Sequence, residues 1–162
     1  QLVFPKARIL VPSMEHGWWM DDARMAAAPD AMKGAFQAVR RVFGGLGADV
    51  LSTFEAGAEL APGVRSMAAY GHTPGHTLFT VHSGNEKFAY VADITNVPQL
   101  FARNPDWAVQ FDMDADAARE SRRKVFDMVV RDNMVTGGYH FPFPAFGKVE
   151  KLGAGFDFKP VA

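Results

Sequence analysis

The sequence contains no cysteine. That excludes a disulfide framework and every thiolate metal site, so any metal must be held by histidine and carboxylate. It leaves the compartment open, whether cytoplasmic, periplasmic or secreted. Nor is there a surplus of either charge: 17 basic residues stand against 18 acidic ones, a net charge of −1. Without a basic stripe, neither nucleic acid nor an anionic membrane is expected as a partner. No apolar run approaches a spanning helix, and the first residues do not read as a signal peptide. Repeats, low-complexity tracts and interdomain linkers are missing too, so a single domain is expected over residues 1–162. What is present is 48% apolar and 22% charged, the mix of a globular chain with a real core.

The opening "QLVFPKARILV" has no methionine and runs directly into an apolar, strand-like segment. A natural start is usually polar and loose, so this reads as a cut inside a longer protein, with a processed mature terminus as the alternative. Ala7–Val11 predicts a strand ended by Pro12. In "SMEHGWWMDDARM", Ser13 is placed to cap a helix, and in "APDAMKGAFQAVRRVFGGLG" Asp30 does the same. Met32, Phe36, Val39 and Phe43 then form an apolar stripe, and Gly44-Gly45 stops the helix. "ELAPGVRSMAAY" reads as a Pro-Gly turn leading into a strand. A second long helix, "DAARESRRKVFDMVVRDN", carries Val125, Met128 and Val129 on one face. "MVTGGYH" predicts a short strand ending in a histidine, and "KVEKLGAGFDFKP" a hairpin. Strands interspersed with long helices make an α/β chain with a mixed sheet.

The richest stretch is "YGHTPGHTLFTVHSGNEKFAYVAD", residues 70–93. Two β-rich runs flank Gly84-Asn85, a two-residue hairpin loop. In that register Ser83 faces Glu86, Thr80 faces Ala89, and continued pairing sets His76 opposite Asp93. Opposed Cβ atoms lie about 4.5–5.5 Å apart, close enough for an imidazole and a carboxylate to share a metal or a hydrogen bond. Asp93 ends the apolar run "FAYVA", where a carboxylate is costly unless it is paired, bound to metal, or capping the turn "DITNVP". His140 follows in "GGYHFPFP", as a ligand or a structural histidine. His76, Asp93 and His140 all fall at strand ends, where layered α/β folds build sites. His72 sits beside them across Thr73-Pro74-Gly75, placed to orient a ligand or a loop rather than to bind metal itself. His82, opposite Lys87, and His16, on a helix, lack such company.

"GHTPGHT", then "YVADI", then "GGYHFPFPAFG" resembles the second half of the metallo-β-lactamase superfamily of hydrolases. "AVQFDMDADAARESRRKVFD" and "KVEKLGAGFDFKPV" narrow the resemblance to the branch of methyl parathion hydrolase and related lactonases. It implies part of an αββα sandwich with a two-metal site, usually zinc, at one edge. His76 would ligate the first metal, Asp93 would bridge both, and His140 would ligate the second. A metal-bridging hydroxide would attack an ester, lactone or phosphotriester, with Asp93 holding it in line. Trp18, Trp19, Phe111 and Phe141 either wall an apolar substrate pocket or pack in the core, and Trp19 falls where the branch also has a tryptophan. The family's His-x-His-x-Asp-His stretch is absent, as a cut ahead of Gln1 predicts.

Two rival expectations follow. Completed by its other half, the chain is a dinuclear-metal hydrolase of small-molecule substrates. Alone, it is a catalytically inert fragment, or a module that binds whatever supplies the missing half. A sheet cut from its sandwich exposes an apolar face, so a homo-oligomer or association with that half is expected.

Overall fold

The computed structural model describes residues 3–161, and two compact units divide at Glu55 and Ala56. The opening "QLVFPKARILV" falls partly on Gln1 and Leu2, outside the described residues. Within the described part, the strand is confined to β1, Ile9–Pro12.

In the first unit, β1 pairs in parallel with β2, Leu51–Phe54. Between them lie helices α1 (Ser13–Met20), α2 (Asp22–Ala27) and α3 (Asp30–Phe43). Neither expected cap forms. Pro12 and Pro29 occupy the N-cap positions, which makes Ser13 and Asp30 the first helical residues. Ser13 Oγ donates instead to Glu55 at 2.6 Å, and Asp30 takes Lys33 at 2.8 Å. The stripe on α3 buries Phe36 completely, stacked on Trp18 and edge-on to Trp19 with ring centroids 4.8 Å away in both cases. Arg40 donates to the Trp19 carbonyl at 2.9 Å and lies over the Phe36 ring, closing this small aromatic core.

The second unit is a seven-stranded mixed sheet in simple sequential order. Its strands are β3 (Glu59–Ala61), β4 (Val64–Ala68), β5 (Thr77–Ser83), β6 (Glu86–Tyr90), β7 (Val135–Gly137), β8 (Phe146–Leu152) and β9 (Gly155–Pro160). The β5–β6 register is the expected one, with Ser83 against Glu86, Thr80 against Ala89 and His82 against Lys87. The predicted terminal hairpin is β8–β9. Every neighbouring pair is antiparallel except β6 and β7, which run parallel. Their connection carries α4 (Pro98–Arg103) and α5 (Ala115–Arg131). Asp114 caps α5 by accepting the Ala117 N–H at 3.0 Å. The buried face of α5 supplies Val125, Phe126 and Val129 to a core completed by Leu78, Val91 and Phe156. This mixed sheet with flanking helices is the α/β architecture expected of the sequence. No helix among the described residues is long and apolar enough to cross a membrane.

Candidate metal centre

Topology alone gathers the three strand-end residues. The carboxyl ends of two parallel strands lie at the same sheet edge, and Asp93 and His140 each follow such an end by three residues. His76 immediately precedes β5, which runs antiparallel to β6, so it arrives at the same edge. His140 thus lies beyond its strand rather than on it, because β7 stops at Gly137. Backbone bonds continue past the ladder: Val91 N–H donates to Gly137 O at 2.8 Å, and Tyr139 N–H to Ala92 O at 3.2 Å.

The extrapolated His76–Asp93 ladder pair does not form. Pairing ends at Phe79 against Tyr90, and Ala92 turns the chain with a φ of 47°. The two residues still meet by another route. His76 Nε2 accepts the Asp93 backbone N–H at 3.1 Å, while its Nδ1 lies 2.8 Å from the Ala69 carbonyl. Nδ1 faces an acceptor and Nε2 faces a donor, so the proton is assigned to Nδ1. A metal-ligating Nε2 requires this same tautomer. On the other side, His140 Nε2 stands 2.9 Å from Asp93 Oδ1. Asp93 touches both imidazoles.

His72 lies behind this group, its ring 5.7 Å from that of His76 and nearly perpendicular to it. Its Nδ1 is 3.1 Å from Oδ1 of Asp112, whose side chain is only 2% exposed. Asp112 Oδ2 accepts the Val109 N–H at 3.2 Å and faces Arg122, equally buried, at 3.7 Å. Burial pushes the Arg122 guanidinium below its ordinary value, and Asp112 opposes that shift. Neither Asp112 nor Arg122 was expected at the site. The available signal was phase: Arg122 shares the helical stripe of Ala118, Val125 and Val129, where a solvent-facing arginine would not fall.

The corner of His72 fits tightly against α5. Gly71 has a φ of 127°, and a Cβ there would come within 2.1 Å of the Ala118 nitrogen. Ser121 Oγ donates to the Tyr70 carbonyl at 2.7 Å, fastening the same corner. Burial, with Tyr139 and Asp93 nearby, pushes the Tyr90 phenol above its ordinary value, so it remains a proton donor at neutral pH. Of the aromatics expected to wall a pocket, Trp19 is packed in the aromatic core of the first unit, with its indole N–H donating to Glu15 at 2.7 Å. Phe141 is buried edge-on to Phe158, and Phe111 stands exposed.

The donors that meet here are nitrogen and oxygen, the chemistry that suits zinc and similar divalent ions. Their number falls short. Among the described residues no group of three or more histidine, aspartate or glutamate side chains could hold a metal ion. The site edge of this chain therefore does not fit a complete metal centre on its own.

An α/β sheet with a His–Asp–His edge defines a class that the sequence itself then specifies. Residues 5–136 match the family model of the metallo-beta-lactamase superfamily, and the chain belongs to that superfamily. No curated protein matches it. Among solved structures it is similar to AidC, described as a dizinc quorum-quenching lactonase in complex with a product, N-hexnoyl-L-homoserine. That match has a TM-score of 0.85 and 28% identity, over 100% of this chain and 57% of that one. It is also similar in fold to AbOPH, a hydrolase in the beta lactamase superfamily, with a TM-score of 0.84 and 22% identity over 98% of this chain and 56% of that one. An N-acyl homoserine lactone hydrolase shares the fold more distantly, with a TM-score of 0.59 and 17% identity over 86% of this chain and 52% of its own. The chain therefore spans a little over half the length of these solved relatives.

Proposed function

We propose that this chain carries one side of the active centre of a metal-dependent hydrolase that opens ester, lactone or phosphotriester bonds, within a protein of its relatives' length. The supporting observation is the edge where Asp93 touches both His76 and His140, at 3.1 and 2.9 Å. The likeness to a dizinc lactonase across the whole chain puts lactones first among the three bond types. His76, Asp93 and His140 are the proposed ligands for two divalent ions, zinc first. Such ions, once bound, would supply activated water and polarise the scissile carbonyl or phosphoryl group. Three donors shared by two ions fall short of the three protein ligands that each catalytic zinc usually takes, so the remaining ligands are proposed to lie outside this chain. Within the centre, Asp93 is assigned the catalytic position and His72 the support behind His76. Trp19 in the first unit and, separately, Phe111 and Phe141 in the second are proposed as substrate contacts only in the complete protein.

A second reading is an inert fragment or an assembly module, and one observation favours it. A groove of about 380 Å³ on the seven-stranded sheet is lined by Val81, Phe88, Val135 and Phe146 together with Ser83, Glu86 and Lys87. Such a face is a candidate seat for a second copy or for the rest of the protein. Metal analysis, a lactone assay and sedimentation separate the readings. The hydrolase reading expects about two metals and turnover in the full-length protein, and neither in the isolated 162 residues, which should self-associate. A full-length protein without metal or turnover would leave only the assembly module.

A further inference from the structure

We propose that Arg122 is a positioning residue of the candidate centre: one buried guanidinium fixes both the turn that carries Asp93 and, through Asp112, the imidazole of His72. The inference rests on reading His76, Asp93 and His140 as the centre. Arg122 is 2% exposed. Its Nε donates to the carbonyl of Ile94, the residue after Asp93, at 2.8 Å. Its Nη1 donates to the Pro105 and Trp107 carbonyls, and its Nη2 faces Asp112 at 3.7 Å. The Phe101 ring covers the guanidinium at 5.1 Å.

All these partners lie on one connection, the crossover between the two parallel strands that end at the centre. The guanidinium therefore ties the beginning of that crossover, at Ile94, to the stretch just before α5. At the beginning, Ile94 N–H also donates to Val91 O at 3.1 Å, so the Asp93 turn is held from within and from Arg122. Just before α5, Asp112 holds His72 Nδ1, and Met113 N–H donates to the His72 carbonyl at 3.2 Å. A core position that needed only volume would take leucine or methionine in this stripe, without the desolvation cost of a charge. A planar fork of five donors is what several separated carbonyls and one carboxylate require, and lysine, with three donors at one point, does not supply it.

The test uses Arg122→Lys, with Arg123→Lys as control, since Arg123 is an exposed neighbour paired with Asp106. Nitrogen-15 spectra of this chain read the Asp93 amide and the His72 ring nitrogens. Arg122→Lys is expected to move both sets of signals, and Arg123→Lys neither. In the full-length protein, Arg122→Lys is expected to lower kcat by about 10-fold or more, the scale of losing an outer partner, with KM within about 2-fold. A folded Arg122→Lys protein whose Asp93 and His72 signals stay in place overturns the inference. So does one that keeps its kcat. Should Arg122→Lys fail to fold, Asp112→Asn keeps the side-chain volume and is expected to move the His72 nitrogens; unmoved nitrogens there also overturn it. The spectra need no turnover, so a full-length protein that fails to hydrolyse lactones removes the proposed function without deciding this result.

Discussion

His76 and His140 reach Asp93 from opposite sides and in opposite conditions. His76 is 7% exposed, with both ring nitrogens committed to backbone partners. Behind it, the corner of residues 70–72 is bonded to the crossover and to α5. The His140 side chain is 44% exposed and contacts Asp93 through a single ring nitrogen. Its neighbours Tyr139 and Phe143 stand 73% and 97% exposed. One side of the edge has its ordering cost met during folding; the other retains freedom that a ligand or partner would have to remove. A centre that must hold a reacting group within a fraction of an ångström needs the first condition on both sides. The difference therefore agrees with the proposal that the centre's remaining ligands lie outside this chain.

The largest effect is expected at the residue the two sides share. Asp93→Ala in the full-length protein should lower kcat/KM by more than about 100-fold, beyond the usual cost of losing an outer partner, and should release metal. Compared without metal, wild type and variant should differ little in stability, within about 1 kcal/mol, because alanine keeps the N–H that His76 accepts. Metal analysis with thermal melts checks both parts. Near-normal turnover with metal retained would reduce Asp93 to a turn residue.

Next comes the rigidity of the His76 side. Gly71→Ala puts a Cβ 2.1 Å from the Ala118 nitrogen at a φ of 127°, so strain and overpacking act together. Their combined cost is about 3 kcal/mol or more. Urea unfolding measures it. A loss below about 1 kcal/mol would mean that the corner yields easily and that the contrast with His140 is overstated.

Local patterns made the hairpin readable. Gly84, with a φ of 57°, sets the turn, and alternation then fixes the register as far as Phe79 and Tyr90. The same logic placed His76 near Asp93 but not how they meet, because a left-handed Ala92 cannot be read from "YVAD". The parallel pairing of β6 with β7 joins Phe88 to Val135, too far along the chain for any local signal, and it is what brings His140 to Asp93. Strands β2 and β3 went unread, β3 because its three residues run straight into the Pro62-Gly63 turn. Two caps failed for a specific reason: a proline precedes both Ser13 and Asp30, its own φ and ψ already suit the N-cap, and each helix starts one residue earlier than expected. Arg122 was hidden by its type, since an arginine in "ESRRK" reads as solvent-facing until its phase with Val125 and Val129 is counted.

The smallest effect is expected at Phe143, on the open side. A ring that is 97% exposed has almost no apolar area removed from water by folding. At roughly 25 cal/mol per Å² buried, its removal leaves the burial balance almost unchanged. Phe143→Ala should therefore alter the stability of the 162-residue chain by no more than about 0.5 kcal/mol. The His140 ring should keep its contact with Asp93, since that contact runs through His140 Nε2 and Asp93 Oδ1 alone. Urea unfolding, read beside Gly71→Ala under the same conditions, compares the two sides on one scale. A loss near that of Gly71→Ala would mean that the loop has a packing partner in solution. The freedom assigned to His140 would then belong to neither side of the centre.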